Sequence, residues 1–149
     1  MAAIGTQCQV RPRGAPAVIG LDTNVVVRYL VADDPKQAAA AARAIRASCT
    51  AQSPGFINLI VLCELVWVLE SSYGYPRSLV AGAMDALCQT PQLRIERADL
   101  VKQALDVFRD ARVDLADCLV AIVNHAESCS KTITFDNAAA TLPGFEALV

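Results

Sequence analysis

The chain has 149 residues, 54% of them hydrophobic and 19% charged, with a formal net charge of −2. That length bounds a single domain able to bury a sizeable core, and that hydrophobicity excludes a disordered chain. The slightly negative balance excludes a broad basic footprint for nucleic acid, so chemistry on a polyanion must draw its positive charge from metal ions or a few arginines.

No apolar run approaches the roughly 20 residues that cross a bilayer. Residues 1–16 carry Arg11 and Arg13 but no continuous apolar segment, which reads as a flexible leader, or a start assigned too early, rather than a secretory signal. One domain is expected over residues 17–149. The six cysteines include no C-x-x-C pair, and a single histidine, His125, leaves little for zinc. They read as reduced core thiols of a cytoplasmic protein.

In chain order, Ala17 to Leu21 is a short apolar segment that stops at Asp22, Thr23 and Asn24, a buried strand with a polar end. Val25 to Val27 read as strand or helix. Asp34 before Pro35 is an N-cap followed by a first-turn proline, opening a helix to about Ala47. Pro54 and Gly55 signal a turn. From Ile57 to Leu69 only Asn58 and Glu64 are polar, with Asn58 placed to cap a helix that Gly74 and Pro76 end. Pro76 to Cys88 predicts a helix, Leu93 to Ile95 a strand, and Asp99 caps a helix to about Arg112. Asp114 to Ser128 predicts a helix with Leu115, Cys118, Leu119, Ile122, Val123 and Ala126 on one apolar stripe. Thr132 to Phe135 predicts a strand that ends on Asp136. Strands alternating with helices predict an α/β domain with a mostly parallel sheet, and such sheets place their sites outside the carboxyl ends of the strands. Asp22 and Asp136 are expected there.

Each acid also has an ordinary explanation. Asp22 can be a helix cap and Asp136 a turn aspartate. Asp114 and Asp117 lie three apart near a helix N-terminus, where the dipole favours aspartate. Glu64 has Ile60, Val61, Trp67 and Val68 as its helical neighbours, a setting that costs a buried carboxylate several kcal/mol unless it is paired or bound to metal. An arginine such as Arg28 is the alternative partner. Two strand-end aspartates, a carboxylate in an apolar helix and another at a helix start together predict an acidic cleft. Packed carboxylates repel unless a divalent cation neutralises them, and oxygen-only donors suit Mg²⁺ or Mn²⁺. Phosphate-binding glycine loops and a G-x-S-x-G elbow are missing from the sequence. A strand-end aspartate also begins phosphatases resembling the haloacid dehalogenases, but those require an aspartate two positions later, where this chain has Asn24.

Several segments resemble PIN-domain ribonucleases, particularly VapC-type toxins of bacterial toxin–antitoxin pairs. They are GLDTNVVVRYL (Gly20 to Leu30), ADDP (Ala32 to Pro35), FINLIVLCELVWVLE (Phe56 to Glu70), VDLADCLVA (Val113 to Ala121), TFD (Thr134 to Asp136) and LPGF (Leu142 to Phe145). The resemblance covers Val18 to Leu148 and rests on the order and spacing of these pieces. It implies a three-layer α/β/α PIN-like domain with a central, mostly parallel sheet, in which Val25 to Leu30 is helix. By motif match, Asp22, Glu64, Asp117 and Asp136 would be the catalytic metal-binding acids, with Asp114 a further ligand or support. Thr23, Asn24 and Thr134 match polar positions that hydrogen-bond the acids or water. Mg²⁺ or Mn²⁺ would be the cofactor. RNA would be the substrate, with an antitoxin protein and a second copy of the chain as partners and no membrane. Arg28, and then Arg112, are candidates for phosphate contacts, with an ordinary ion pair as the alternative for each. Two features depart from the pattern: residues 1–17 have no counterpart, and Asn137 stands where a basic residue is expected. A non-catalytic PIN-like module acting as an antitoxin-dependent co-repressor would share this fold.

Overall fold

The computed structural model describes residues 17–149; the leader expected over 1–16, and Cys8 with it, lie outside them. Six α-helices, four β-strands and one short 3₁₀ turn follow along the described chain, a pair of helices preceding each of the first three strands. Helix α1 spans Thr23–Val31, so the valine run is helical, as the family resemblance implied. Its β-branched residues are held there by packing, since Val26 and Val27 are buried in the core. Helix α2 spans Pro35–Ser48, and the Asp34 side chain accepts from the backbone N–H of Lys36 and Gln37, each at 3.0 Å. Strand β1 is Gly55–Ile57, where only a turn was expected. Helix α3 spans Leu59–Ser71 and is capped by Asn58, which accepts from Val61 N–H at 2.9 Å. The Glu96 carboxylate accepts from Leu59 N–H at 2.9 Å, a second cap delivered from far along the chain.

Helix α4 is Arg77–Gln89, strand β2 Leu93–Ile95 and helix α5 Ala98–Asp110. The expected cap for α5 is corrected. Arg97, in the left-handed region at φ 48°, takes the N-cap position, and Asp99 lies inside the first turn, where it favours the helix dipole instead. Helix α6 spans Leu115–Ala126. Its predicted stripe is buried at Leu115, Cys118 and Leu119, half-buried at Ile122 and Val123, and exposed at Ala126. Strand β3 is Thr132–Thr134, a short 3₁₀ turn follows at Ala139–Thr141, and β4 is Phe145–Ala147, a strand the sequence pattern did not signal.

The strands pair in parallel, as the α/β alternation requires. Strand β1 pairs with β2, aligning Gly55, Phe56 and Ile57 with Leu93, Arg94 and Ile95. Strand β3 pairs with β4, aligning Thr132 with Phe145. The segment expected as the first strand joins β1 through one bridge, Gly20 to Phe56. Leu21 N–H donates to the Phe56 carbonyl at 2.9 Å, and Phe56 N–H donates to the Ile19 carbonyl at 2.7 Å. The ladder is therefore in two parts, one ending near Asp22 and the other near Asp136.

The core is continuous across the helices, with Leu62, Leu65, Leu69, Val80, Met84, Leu105, Phe108 and Leu115 almost fully buried. Gly55 has a specific reason to be glycine. A Cβ there would sit 2.9 Å from Cys49 Sγ and 3.0 Å from Leu21 Cδ1, so a side chain at this position would push Cys49 or Leu21 aside. None of the five described cysteines is disulfide-bonded. Cys49 and Cys118 are core thiols, Cys63 and Cys88 are half-buried, and Cys129 is exposed, so the core assignment fails for Cys129, which follows the hydrogen-bonded C-terminal turn of α6. No described helix is long and apolar enough to cross a membrane.

Candidate active site

Asp22 is exposed at the end of the first extended segment, in the N-cap position of α1. Its backbone carbonyl accepts from Val25 and Val26, yet its side chain makes no capping bond. Asp114 repeats this pattern at the start of α6, exposed and in the N-cap position without a side-chain cap. Asp34 and Asn58 show what a capping side chain does in this same fold. The helix-cap explanation therefore does not account for the carboxylates of Asp22 and Asp114.

Glu64 is placed differently from the expectation. It is exposed, because Ile60 and Trp67 on the same side of α3 are themselves 73% and 63% exposed. The apolar run is more than the core can cover, so burial costs Glu64 little. Its partner is Thr23, not Arg28. The buried Thr23 hydroxyl donates to Glu64 Oε2 at 2.5 Å, tying α3 to the residue beside Asp22. Glu64 borders a groove of about 400 Å³ between α3 and α6, floored by Leu59, Cys63, Leu119 and Val123.

Asp117 is half-buried in the first turn of α6. Desolvation pushes its carboxyl above the ordinary value of 3.8, and the charges of Asp114 and then Asp136 push in the same direction. Asp136 is exposed. Its Oδ1 accepts from Ala138 N–H at 2.7 Å and Ala139 N–H at 3.2 Å, so the ordinary turn role does operate here. Thr134 Oγ1 accepts from Asp136 N–H at 2.9 Å and fixes the backbone at that point. Asn24 is exposed along a groove between α1 and α2.

Glu64 is tied to the residue after Asp22, while Asp114 and Asp136 act on Asp117. Carboxylate oxygens are suitable donors for a hard divalent ion. As placed, however, no three His, Cys, Asp or Glu side chains among the described residues come together closely enough to hold one.

Arg28 is engaged in an ion pair. It donates to Asp33 at 2.6 and 2.8 Å and to Gln37 at 2.7 Å, and the Tyr73 hydroxyl donates to Asp33 at 2.7 Å. The Arg28 hydrogen bond, then the Tyr73 hydroxyl, hold the Asp33 carboxyl below its ordinary value. Arg112 is exposed. The sequence pattern gave no signal for Arg77. It donates to the backbone carbonyls of Phe108 and Ala111 at 3.0 Å and of Val113 at 2.7 Å, and its guanidinium lies 4.0 Å from the Phe108 ring centre. Arg77 therefore holds the connection that delivers Asp114 and Asp117. A single arginine in a helix first turn carries no such information until the partner carbonyls are folded around it.

A separate cavity of about 380 Å³ lies at the amino ends of β3 and β4, lined by Cys118, His125, Lys131 and Leu142. It has no carboxylate in its lining.

These features define an α/β domain with parallel strands and acids at the strand and helix ends. A family model for the PIN domain matches residues 19–144, and the chain belongs to that family. The PIN domain is generally a nuclease fold, and its members usually bind divalent metals. No curated protein and no solved structure matches the chain.

Proposed function

We propose that the chain is a metal-dependent endoribonuclease that hydrolyses RNA phosphodiester bonds, with Asp22, Glu64, Asp117 and Asp136 as its catalytic and metal-binding acids and Asp114 in support. The observation that carries this reading is the pair of N-cap aspartates, Asp22 and Asp114, whose carboxylates do no capping. A folded chain gains about 0.5–2 kcal/mol from a capping side chain, and both positions forgo it. A bound Mg²⁺ or Mn²⁺ would supply water activation and charge neutralisation at a phosphate. Thr23 orients Glu64, Thr134 fixes the backbone of Asp136, and Arg77 fixes the loop before Asp114. The engagement of Arg28 with Asp33 leaves the ion, rather than an arginine, as the main source of positive charge.

The same reading makes the chain the toxin of a type II toxin–antitoxin pair, acting in the cytoplasm, with an antitoxin and a second copy of itself as partners. Exposed Ile60, Trp67 and Val120 beside the α3–α6 groove support a protein partner. They equally favour the second reading, a non-catalytic module that works by binding protein. Cleavage of varied RNAs by the clean protein with Mg²⁺ or Mn²⁺, abolished in Asp22→Asn while partner binding persists, establishes the nuclease. No cleavage by the wild type under those conditions favours the binding module.

A further inference from the structure

The cavity of about 380 Å³ at the amino ends of β3 and β4 has no part in the proposed chemistry. Its size falls within the roughly 300–1,000 Å³ of small-molecule sites. Small residues keep it open. Cys118, Ala121 and Ile122 of α6, Val107 of α5 and Leu142 before β4 make an apolar floor. Gly144, also in the lining, sits at φ 84°, and a Cβ added there would meet no atom within 4 Å. The backbone conformation calls for that glycine, and the space beside it stays empty. Cys118 is buried and behaves as a small hydrophobe. Such a floor offers water few of the polar partners that hold it in place.

The polar side chains gather at the mouth. His125 in the last turn of α6, Ser130, Lys131 and Thr132 line the same cavity. His125 and Ser130 are exposed, and their side chains make no hydrogen bond among the described residues. Asn124 donates to the Thr132 hydroxyl oxygen at 2.9 Å, which leaves the hydroxyl proton free to donate elsewhere. Lys131 Nζ donates to both Glu146 oxygens at 2.9 Å. Both of these side chains are more than half exposed, so the pair is weak, and Nζ keeps a third proton. The carbonyls of Val123, Asn124 and His125 accept from Glu127, Cys129 and Ser128, so the negative end of α6 is taken up within the chain. The mouth therefore sets hydrogen-bond donors and one lysine charge over an apolar floor.

The geometry points to a binding site for a small organic acid, its aromatic or short acyl body in the floor and its carboxylate at Lys131, Thr132 and His125. A carboxylate only accepts hydrogen bonds, which matches a mouth of donors, whereas an ammonium would meet Lys131 with nothing to accept from it. A neutral apolar molecule fills the floor and leaves the mouth unused. None of the acids proposed for RNA cleavage lines the cavity, so the site stands apart from that reading.

Titration of the full chain with phenylacetate, followed by amide NMR shifts, tests this. Saturable shifts are expected at Ile122, His125, Lys131, Thr132 and Gly144, and acetate alone is expected to give none that saturate. Phenylacetamide keeps the ring without the charge, and about tenfold weaker binding is expected for it. Ala121→Leu puts a larger side chain into the floor and is expected to abolish binding in a protein that otherwise gives the wild-type spectrum. The double variant Lys131→Met, Glu146→Gln removes both exposed charges without touching the floor. It is expected to bring phenylacetate down to the affinity of phenylacetamide, and it decides the matter if Ala121→Leu does not fold. Phenylacetate that leaves these amides unmoved, or binds Ala121→Leu as tightly as wild type, overturns the site. Equal affinity of the wild type for phenylacetate and phenylacetamide, or an undiminished affinity of the double variant for phenylacetate, overturns the acid as its ligand.

Discussion

Replacing Thr23 by valine tests whether the Thr23–Glu64 hydrogen bond positions the site. Valine keeps the shape of threonine in its buried position, so no cavity opens, and only the donor to Glu64 Oε2 is lost. Hydrogen bonds to charged groups are worth about 1.5–3 kcal/mol, but Glu64 is exposed and water replaces much of what it loses. The expected destabilisation is therefore about 1 kcal/mol, which lowers Tm by about 2–4 °C in a domain of this size. Urea unfolding of wild type, Thr23→Val, Glu64→Gln and the double variant gives the coupling directly. Thr23→Ser retains the donor and is expected to retain the coupling. On the proposed activity, Thr23→Val is expected to lower kcat with little change in KM, because it frees a carboxylate rather than removing a substrate contact. A coupling below about 0.3 kcal/mol, within the additivity seen for independent sites, would refute the positioning role.

Gly55→Ala places a Cβ against Cys49 and Leu21. Overpacking costs about 1–3 kcal/mol against a gain of about 0.4–1 kcal/mol from a stiffer unfolded chain, so a net loss of about 1–2 kcal/mol is expected in urea unfolding and is relieved in the Gly55→Ala, Cys49→Ala double variant. Arg77→Met keeps the aliphatic stem over Phe108 but strands three carbonyls. A loss of about 2–3 kcal/mol is expected, together with faster exchange in the 111–114 segment, read by hydrogen exchange. Asp33 has a lowered folded pKa, so its contribution to stability is present above its ordinary value of 3.8 and is lost as pH falls through the lower folded value. Asp33→Asn is expected to flatten that part of the acid-unfolding curve, and an unchanged curve would remove the Arg28–Asp33 linkage. Burial pushes the Cys118 thiol up to about 11, and Cys129 is exposed. Alkylation at neutral pH followed by mass spectrometry is expected to label Cys129 well before Cys118.

Local chemistry made much of this protein legible in its residues. Asp34 with Pro35 and Asn58 before an apolar run specify helix starts because the orphan N–H groups they satisfy are within three residues. Alternation of helix and strand sufficed for an α/β class with parallel strands. The type of α1 was different: Val25 to Val27 suit either state locally, and the family resemblance, not propensity, identified the helix that packing retains.

What only the tertiary structure decided depends on contacts between distant residues. The exposure of Glu64 follows from how much of α3 the core can cover, which periodicity in an almost uniformly apolar helix cannot report. Arg97 rather than Asp99 at the α5 cap reflects the path of the chain leaving β2. The engagement of Arg28 by Asp33 and Tyr73, the reach of Arg77 to three carbonyls and the close pass of Gly55 all require partners brought together by folding. The acids proposed for the site were nameable one by one from strand ends and helix starts, because those positions are local. Which partners each acid meets was not, because Thr23 reaches Glu64 and Asp136 acts on Asp117 only once distant segments have folded together.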